Sequence, residues 1–461
     1  MFAAFVSLLA FVIATCVVIT IHEYGHYLAS KWCGVKVARF SVGLGPCLLK
    51  WQGASPDYTQ YTLCAYPVGG FVQLLDKTEG MVIEKNDNGR EYSQQATWKR
   101  CAIILAGPLF NIFIALLIYI GILLIGNTAM HPVIGTVAHD SIAQQSGLRK
   151  GDLVLSINNQ TIDHWQALQQ HIAFNTLRKQ PSIFKVQNPN GKKSSHRIEL
   201  AINQVINDKP LYANLGIYPP SPVYKPVLEL IQENSPADLA GLRQFDQIMM
   251  FNNSDISTWR EFIRFVQIHP NEQVMLTVKR GNKLLKIAIT PALVNEDTHS
   301  FGAIGVSVYK NPEAFKLHTF KNQAPLLSAI PNAVKKLYNT ASSSLMMMYR
   351  LLINDIPITK LSGPIGIAKY AGISFDIGWI EFLSFIALLN LTIGLFNLLP
   401  IPILDGGSFC YCIIEWIKGR PFSIKSKRYG ELFGYSLILI MLSITIGNDL
   451  NSILSNFITT T

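Results

Sequence analysis

Charge is scarce in this sequence. Asp, Glu, Lys and Arg make up 15% of its 461 residues, and its mean hydropathy is +0.27. Ordinary soluble enzymes carry about 25% charged residues, so that class is excluded. Cysteine is scarce too: there are seven, and none lies between 102 and 409. No spacing among Cys16, Cys33, Cys47, Cys64, Cys101, Cys410 and Cys412 resembles a zinc ribbon or a disulfide framework. If the long middle is exported it folds without disulfides, as a domain of about 90 residues can. The N-terminus lacks a basic n-region and a small-residue cleavage site. The first apolar run therefore reads as a retained span rather than a signal peptide. The net charge is +10, but the Lys and Arg residues are scattered. That pattern fits anionic lipid head groups better than nucleic acid.

Long apolar runs are abundant. Four could cross a bilayer, which takes roughly 20 residues; they lie near 2–21, 101–125, 377–399 and 432–446. The fourth is the weakest, because Asn448 and Asp449 interrupt its outer end. Lys31, Lys36, Arg39, Lys50, Lys77, Lys85, Arg90, Lys99 and Arg100 crowd 27–100, and Lys418, Arg420, Lys425, Lys427 and Arg428 crowd 408–431. The tips, Met1 and Thr459–Thr461, carry no basic side chain. By the positive-inside rule both loops are cytoplasmic. Both termini and the long segment 126–376 are then outside.

That segment contains a repeat. "SIAQQSGLRKGDLVLSINNQTIDHWQALQQHI" (141–172) aligns without gaps with "SPADLAGLRQFDQIMMFNNSDISTWREFIRFV" (235–266), offset by 94, with ten of 32 positions identical. Chance would give about two. Each copy predicts a Gly turn, a short strand, an Asn-Asn turn and a helix starting near Trp165 or Trp259. Phe245 stands where the first copy has Gly151, which predicts a differently shaped loop in the second. Further on, "SSSLMMMYRLLI" predicts an amphipathic or membrane-surface helix, and "KLSGPIGIAKYAG" (360–372) a loop turning at Gly363–Pro364.

Ionisable residues in an apolar span are functional hypotheses by default. "VVITIHEYGHYLAS" (17–30) holds three of them. On a helix, residues four apart differ by about 40° in direction and about 6 Å in height, so His22 and His26 share a face. Glu23 sits beside them, placed to take a proton from an attacking water. This is HExxH, the pattern of zinc-dependent peptide-bond hydrolysis. A catalytic zinc needs a third protein ligand. The continuation that would supply a third His fails, since Ala29 and Trp32 stand at its positions. "NLTIGLFNLLPIPILDGG" (390–407) offers Asp405 instead. Its apolar helix breaks at Pro400 and Pro402, and Gly406 and Gly407 permit an unusual backbone path. His, His and Asp suit zinc, though iron or cobalt would fit the geometry. Two other readings use the same residues: a non-catalytic scaffold with a structural polar triad, and a transporter with broken spans. No inverted repeat supports the transporter.

The repeats, with Gly-Leu-Arg-x-x-Asp before a strand, resemble bacterial PDZ domains. HExxH in the first span and Asn-x-x-Pro-x-Pro-x-Leu-Asp-Gly in a later one together resemble the site-2 protease family of intramembrane zinc metalloproteases. Two PDZ domains between the second and third spans narrow the resemblance to its RseP type. "GLGP" (43–46), "YPVGGF" (66–71), "AGPLFN" (106–111) and "LSGPIGIAKYAG" (361–372) belong to it as well. The implied fold is a polytopic α-helical membrane protein of about four spans, with a membrane-associated β-hairpin over about 39–75 and two tandem α+β PDZ domains in the exported segment. The domains would run 1–126, 127–221 (PDZ), 222–311 (PDZ), 312–375 and 376–461. The resemblance implies one zinc held by His22, His26 and Asp405, with Glu23 as base. It implies that Asn397, Pro400 and Pro402 place the substrate backbone. Thr392 stands where relatives have Asn, and Ser408 where they have His. PDZ domains take an extended peptide as an added strand, here near Leu215, Gly216 and Ile217 and near Ile304, Gly305 and Val306. The implied setting is a bacterial inner membrane. The implied partners are single-span membrane proteins such as a pre-trimmed anti-sigma factor, and remnant signal peptides, with no nucleic acid.

Overall fold

The computed structural model describes residues 2–458 apart from 56, 78–80, 82, 84–86, 201–210, 297–298, 312–315 and 317. The tips used above for orientation, Met1 and Thr459–Thr461, lie outside the described residues. Two compact units form, one from Met1–Asn127 with Asn322–Asn451, the other centred on Thr128–Lys321.

In the first unit, four described helices are long and apolar enough to cross a membrane: Ala4–Trp32, Thr97–Ile125, Trp379–Asn397 and Lys425–Ser452. Small residues let three of them pack closely. Ala14 and Val18 of the first span meet Ile386 of the third. Ala115 and Tyr119 of the second meet Ala387 and Leu391 of the third, together with Ala333. Ala333 belongs to the helix Leu326–Leu352, where the sequence placed an amphipathic helix.

The expected loop at 360–372 is corrected. A helix runs over Pro364–Ile377, with Gly363 as its N-cap and Pro364 in the first turn. Proline's fixed φ suits that position, where its missing N–H costs nothing. The remaining end donors converge on Asp449 of the fourth span. Gly363, Ile365 and Gly366 donate to its carboxylate at 3.0, 2.9 and 3.1 Å. The residue that weakened the fourth apolar run is thus a helix cap.

Residues 37–74 form two strands, Val37–Gln52 and Gln60–Leu74, and each folds back on itself. The bends fall at Gly43 and Gly45 (both φ 83°) and at Gly69 (φ 99°), where a side chain would be strained. Val42 lies opposite both Leu63 and Gly70, while Lys50 lies opposite Thr62. The result is a sheet with segments in the order 47–52, 60–64, 37–42, 70–74. Tyr27 of the first span packs with Val37 and Phe40 beneath it. Leu48, Leu49, Trp51 and Tyr66 are exposed.

In the second unit the repeat is structural. Two four-stranded sheets share one order, with Gln160–Thr161, Leu153–Ile157, Ser182–Gln187 and Lys193–Ile198 in the first copy. Ser254–Asp255, Gln247–Phe251, Val274–Arg280 and Lys283–Ile289 make the second. Helices Trp165–Leu177 and Trp259–Gln267 cover them. The loop expected to differ does not. Gly151 and Phe245 both take positive φ, 90° and 66°. Their N–H groups donate to Ile134 and Leu228 at 2.7 and 2.8 Å. Asp152 and Asp246 accept from the Arg149 and Arg243 N–H groups, each at 2.8 Å. The Phe245 ring rests edge-on against Tyr309, 5.8 Å away, a contact that helps offset its left-handed backbone.

Gly216 (φ 79°) and Gly305 (φ 73°) occupy equivalent places before strands Ile217–Tyr218 and Val306–Val308. A Cβ on either would collide with Ser141 or Ser235, the N-caps of two short helices. Ile217 is fully buried and Val306 packs on the second core.

Candidate metal centre and active site

The HExxH residues lie on the 31-residue helix Phe2–Trp32, whose hydrocarbon-like sequence gives no reason to break. His22 and His26 project from one face toward the second span, Thr97–Ile125. Two glycines bring those helices together. A Cβ at Gly25 would stand 2.5 Å from the Ala106 carbonyl, and one at Gly107 would overlap the His26 imidazole. The "AGPLFN" stretch is therefore where the second span yields room to the first.

The third span ends at Asn397. Pro400 and Pro402 contribute no N–H to the connector, and Ile401 and Leu404 turn it through bonds to Leu399 and Ile401 carbonyls at 2.7 and 2.8 Å. A new helix, Asp405–Lys418, starts on the acidic residue itself. The positive end of the helix dipole favours a carboxylate there. Gly406 and Gly407 are helical rather than irregular, which corrects the sequence expectation. They are glycine because a Cβ would run into the Leu398, Leu399 and Ile401 carbonyls.

Three ligand atoms then meet. His22 Nε2 lies 3.1 Å from Asp405 Oδ2, His26 Nε2 lies 3.5 Å from the same oxygen, and the two Nε2 atoms are 3.2 Å apart. Among the described residues these three side chains are the cluster that could hold a metal ion. Ligands about 2.0–2.1 Å from a tetrahedral zinc are separated by about 3.4 Å, close to all three edges. The proton positions agree. His26 Nδ1 lies 2.8 Å from the Ile103 carbonyl, which can only accept, so the proton is on Nδ1 and Nε2 presents a lone pair. His22 Nδ1 faces the Asn111 side-chain amide at 3.3 Å. With the amide turned so that Oδ1 accepts from Nδ1, His22 Nε2 also presents a lone pair. Asp405 Oδ2 is buried and accepts no hydrogen bond. In these tautomers three acceptors converge with no proton between them, an arrangement that calls for a cation, and the residues fit zinc.

Glu23 flanks the triad, and the Val72 backbone is within hydrogen-bond reach of its carboxylate. Val72 belongs to segment 70–74, an edge of the sheet. A Cβ at Gly70 would stand 3.3 Å from Glu23 Cγ. The sheet edge thus runs past the base. Thr392 and Asn397 lie on the third span and Pro400 and Pro402 in the connector. None of these four hydrogen-bonds His22, Glu23, His26 or Asp405 among the described residues. Gly216, Ile217, Gly305 and Val306 belong to the other unit.

Sequence reasoning placed Asn111 in the "AGPLFN" stretch but gave it no role. It is fully buried, and in the turned orientation the His22 Nδ1–H gives its Oδ1 a partner. Its signal was there: one amide inside the apolar run "FNIFIALL", where polar groups need a reason.

The model of peptidase family M50 matches residues 10–441. The regulator of sigma-E protease RseP of Salmonella typhimurium is 31% identical over 448 residues, 96% of this chain and 98% of that protein. Its Escherichia coli namesake is 30% identical over 448 residues, with the same coverage. A Vibrio cholerae relative, named among zinc metalloproteases, is 29% identical over 452 residues, 96% of this chain and 98% of that protein. A solved PDZ domain of an SdrC-like protein from Listeria innocua is 25% identical, covering 20% of this chain and 97% of that one, with a TM-score of 0.16.

Proposed function

The chain belongs to peptidase family M50 and is a zinc-dependent intramembrane protease of the site-2 type; from that premise we propose the residues, substrates and setting that follow. His22, His26 and Asp405 hold the zinc and Glu23 is the general base. The observation that carries this reading is the triangle of three ligand atoms, His22 Nε2, His26 Nε2 and Asp405 Oδ2, 3.1–3.5 Å on a side and drawn from two distant stretches of chain. When bound, zinc polarises the scissile carbonyl and brings the pKa of the attacking water to about 7. Glu23 takes the proton from that water and hands it to the leaving amine nitrogen. The Ile103 carbonyl and Asn111 hold the two imidazoles in the tautomers the ligands need.

A peptide bond inside a helix is shielded until the helix opens. The sheet edge 70–74 is positioned to take an opened segment as an added strand, with Asn397, Pro400, Pro402 and Thr392 contacting its backbone. The exposed Leu48, Leu49, Trp51 and Tyr66 associate the sheet with the bilayer. The setting is a bacterial inner membrane, with the basic loops cytoplasmic and both repeats, read as tandem PDZ domains, in the periplasm. The substrates are single-span membrane proteins such as a pre-trimmed anti-sigma factor, and remnant signal peptides. The PDZ pair, with grooves near Gly216–Ile217 and Gly305–Val306, hinders intact substrates and admits shortened ones.

Cleavage of a trimmed single-span substrate in detergent tests this. Glu23→Gln is expected to lower the rate about 10²–10⁴-fold while leaving zinc bound. Equal cleavage by both proteins would remove Glu23 from the mechanism.

A further inference from the structure

The sheet carries a feature that proteolysis does not use. Cys47 stands directly opposite Cys64 on neighbouring segments, and their Sγ atoms are 3.2 Å apart. Both thiols are free. Directly opposed strand positions hold Cβ atoms about 4.5–5.5 Å apart, near the spacing a disulfide needs. The surroundings are polarised. Arg39 Nη2 donates to Cys47 Sγ at 2.8 Å, and its Nε donates to Thr62 at 3.1 Å, which fixes the guanidinium. The Ser41 hydroxyl lies 3.4 Å from Cys64 Sγ. The thiolate is the nucleophile in cysteine redox chemistry, and the guanidinium is placed to donate to that sulfur. Cys47 is half-buried and reachable, while Cys64 is buried behind it.

We propose that Cys47 and Cys64 are a redox site, closing to a reversible disulfide when the protein meets hydrogen peroxide. The Cys47 thiolate attacks the peroxide O–O bond, becomes a sulfenic acid and releases hydroxide, which takes up a proton. The Cys64 thiol then attacks the sulfenic sulfur; the S–S bond forms and water leaves. Two thiols and one peroxide give one disulfide and two waters, the sulfurs losing the two electrons the peroxide gains. Among the described residues the group of three or more side chains able to hold a metal is His22, His26 and Asp405, and it does not include this pair. A second thiol pair provides an internal control. Cys101 and Cys412 Sγ lie 3.5 Å apart, but Cys412 is buried, its sulfur also contacts the Thr97 carbonyl, and among the described residues no guanidinium donates to either thiol. The disulfide would tie segment 47–52 to 60–64, stiffening the sheet whose far edge passes Glu23.

The test uses the full chain in detergent, exposed to graded hydrogen peroxide, alkylated, digested and read by mass spectrometry. The expected product is a peptide linking 47 to 64, about 2 Da lighter than its two reduced halves and separated by dithiothreitol. Cys64→Ser is expected to lose the link and to hold a dimedone-reactive sulfenic acid at Cys47. Arg39→Gln is expected to slow closure several-fold with the link unchanged in position. Free alkylation of both thiols at every peroxide level, or a 101–412 link appearing before the 47–64 link, would overturn the proposal.

Discussion

In the proposed zinc site a single buried amide, Asn111, would set the tautomer of one ligand. A histidine binds zinc through one ring nitrogen only if the other holds the proton, and an outer partner decides which. For His26 that partner is the Ile103 carbonyl, supplied by backbone and immune to mutation. For His22 it is the Asn111 side chain. Asn111→Leu keeps the branched outline and removes the acceptor. It is expected to weaken zinc binding about 10–100-fold, read by competition against a chelator, with the first-span helix intact by circular dichroism. Unchanged affinity would mean that His22 finds its tautomer without help.

Among the elements, the covering helix of the second repeat, Trp259–Gln267, shows how local chemistry sets an N-terminus. Thr258 and Glu261 form a reciprocal capping box. The Ser257 hydroxyl, then the Ser257 and Thr258 N–H groups, hold the Glu261 carboxyl below its usual 4.5. A carboxyl depressed in the folded state adds stability that is complete above the unfolded value and fades as pH falls through the folded one. Amide exchange in this helix is therefore expected to quicken as pH drops below about 4.5, after correction for intrinsic rates. Glu261→Gln should exchange faster at neutral pH and lose that pH dependence. The first repeat, capped by His164 instead, provides the comparison.

For the whole molecule, what could be read from the sequence followed from period and spacing. Four apolar runs, HExxH, a 94-residue offset and an apolar helix broken by Pro400 and Pro402 ahead of Asp405 are one-dimensional patterns. What escaped depends on partners far along the chain. The helix at Pro364 needed Asp449 to cap it. The sheet needed Gly43, Gly45 and Gly69 to fold each strand back, which a simple hairpin reading does not contain. Gly107 and Gly406 are glycine for close approach rather than for turning. Phe245 kept the loop geometry of Gly151 because its N–H bond and Asp246 carry the same turn.

The central claim is that Asp405, 379 positions beyond His26, shares one zinc with the imidazole pair. Zinc content of the purified full chain, measured by atomic emission beside Asp405→Ala, tests it most directly. The native chain should carry one zinc per molecule and the variant, still folded, close to none. Full zinc occupancy without the Asp405 carboxylate would contradict the account.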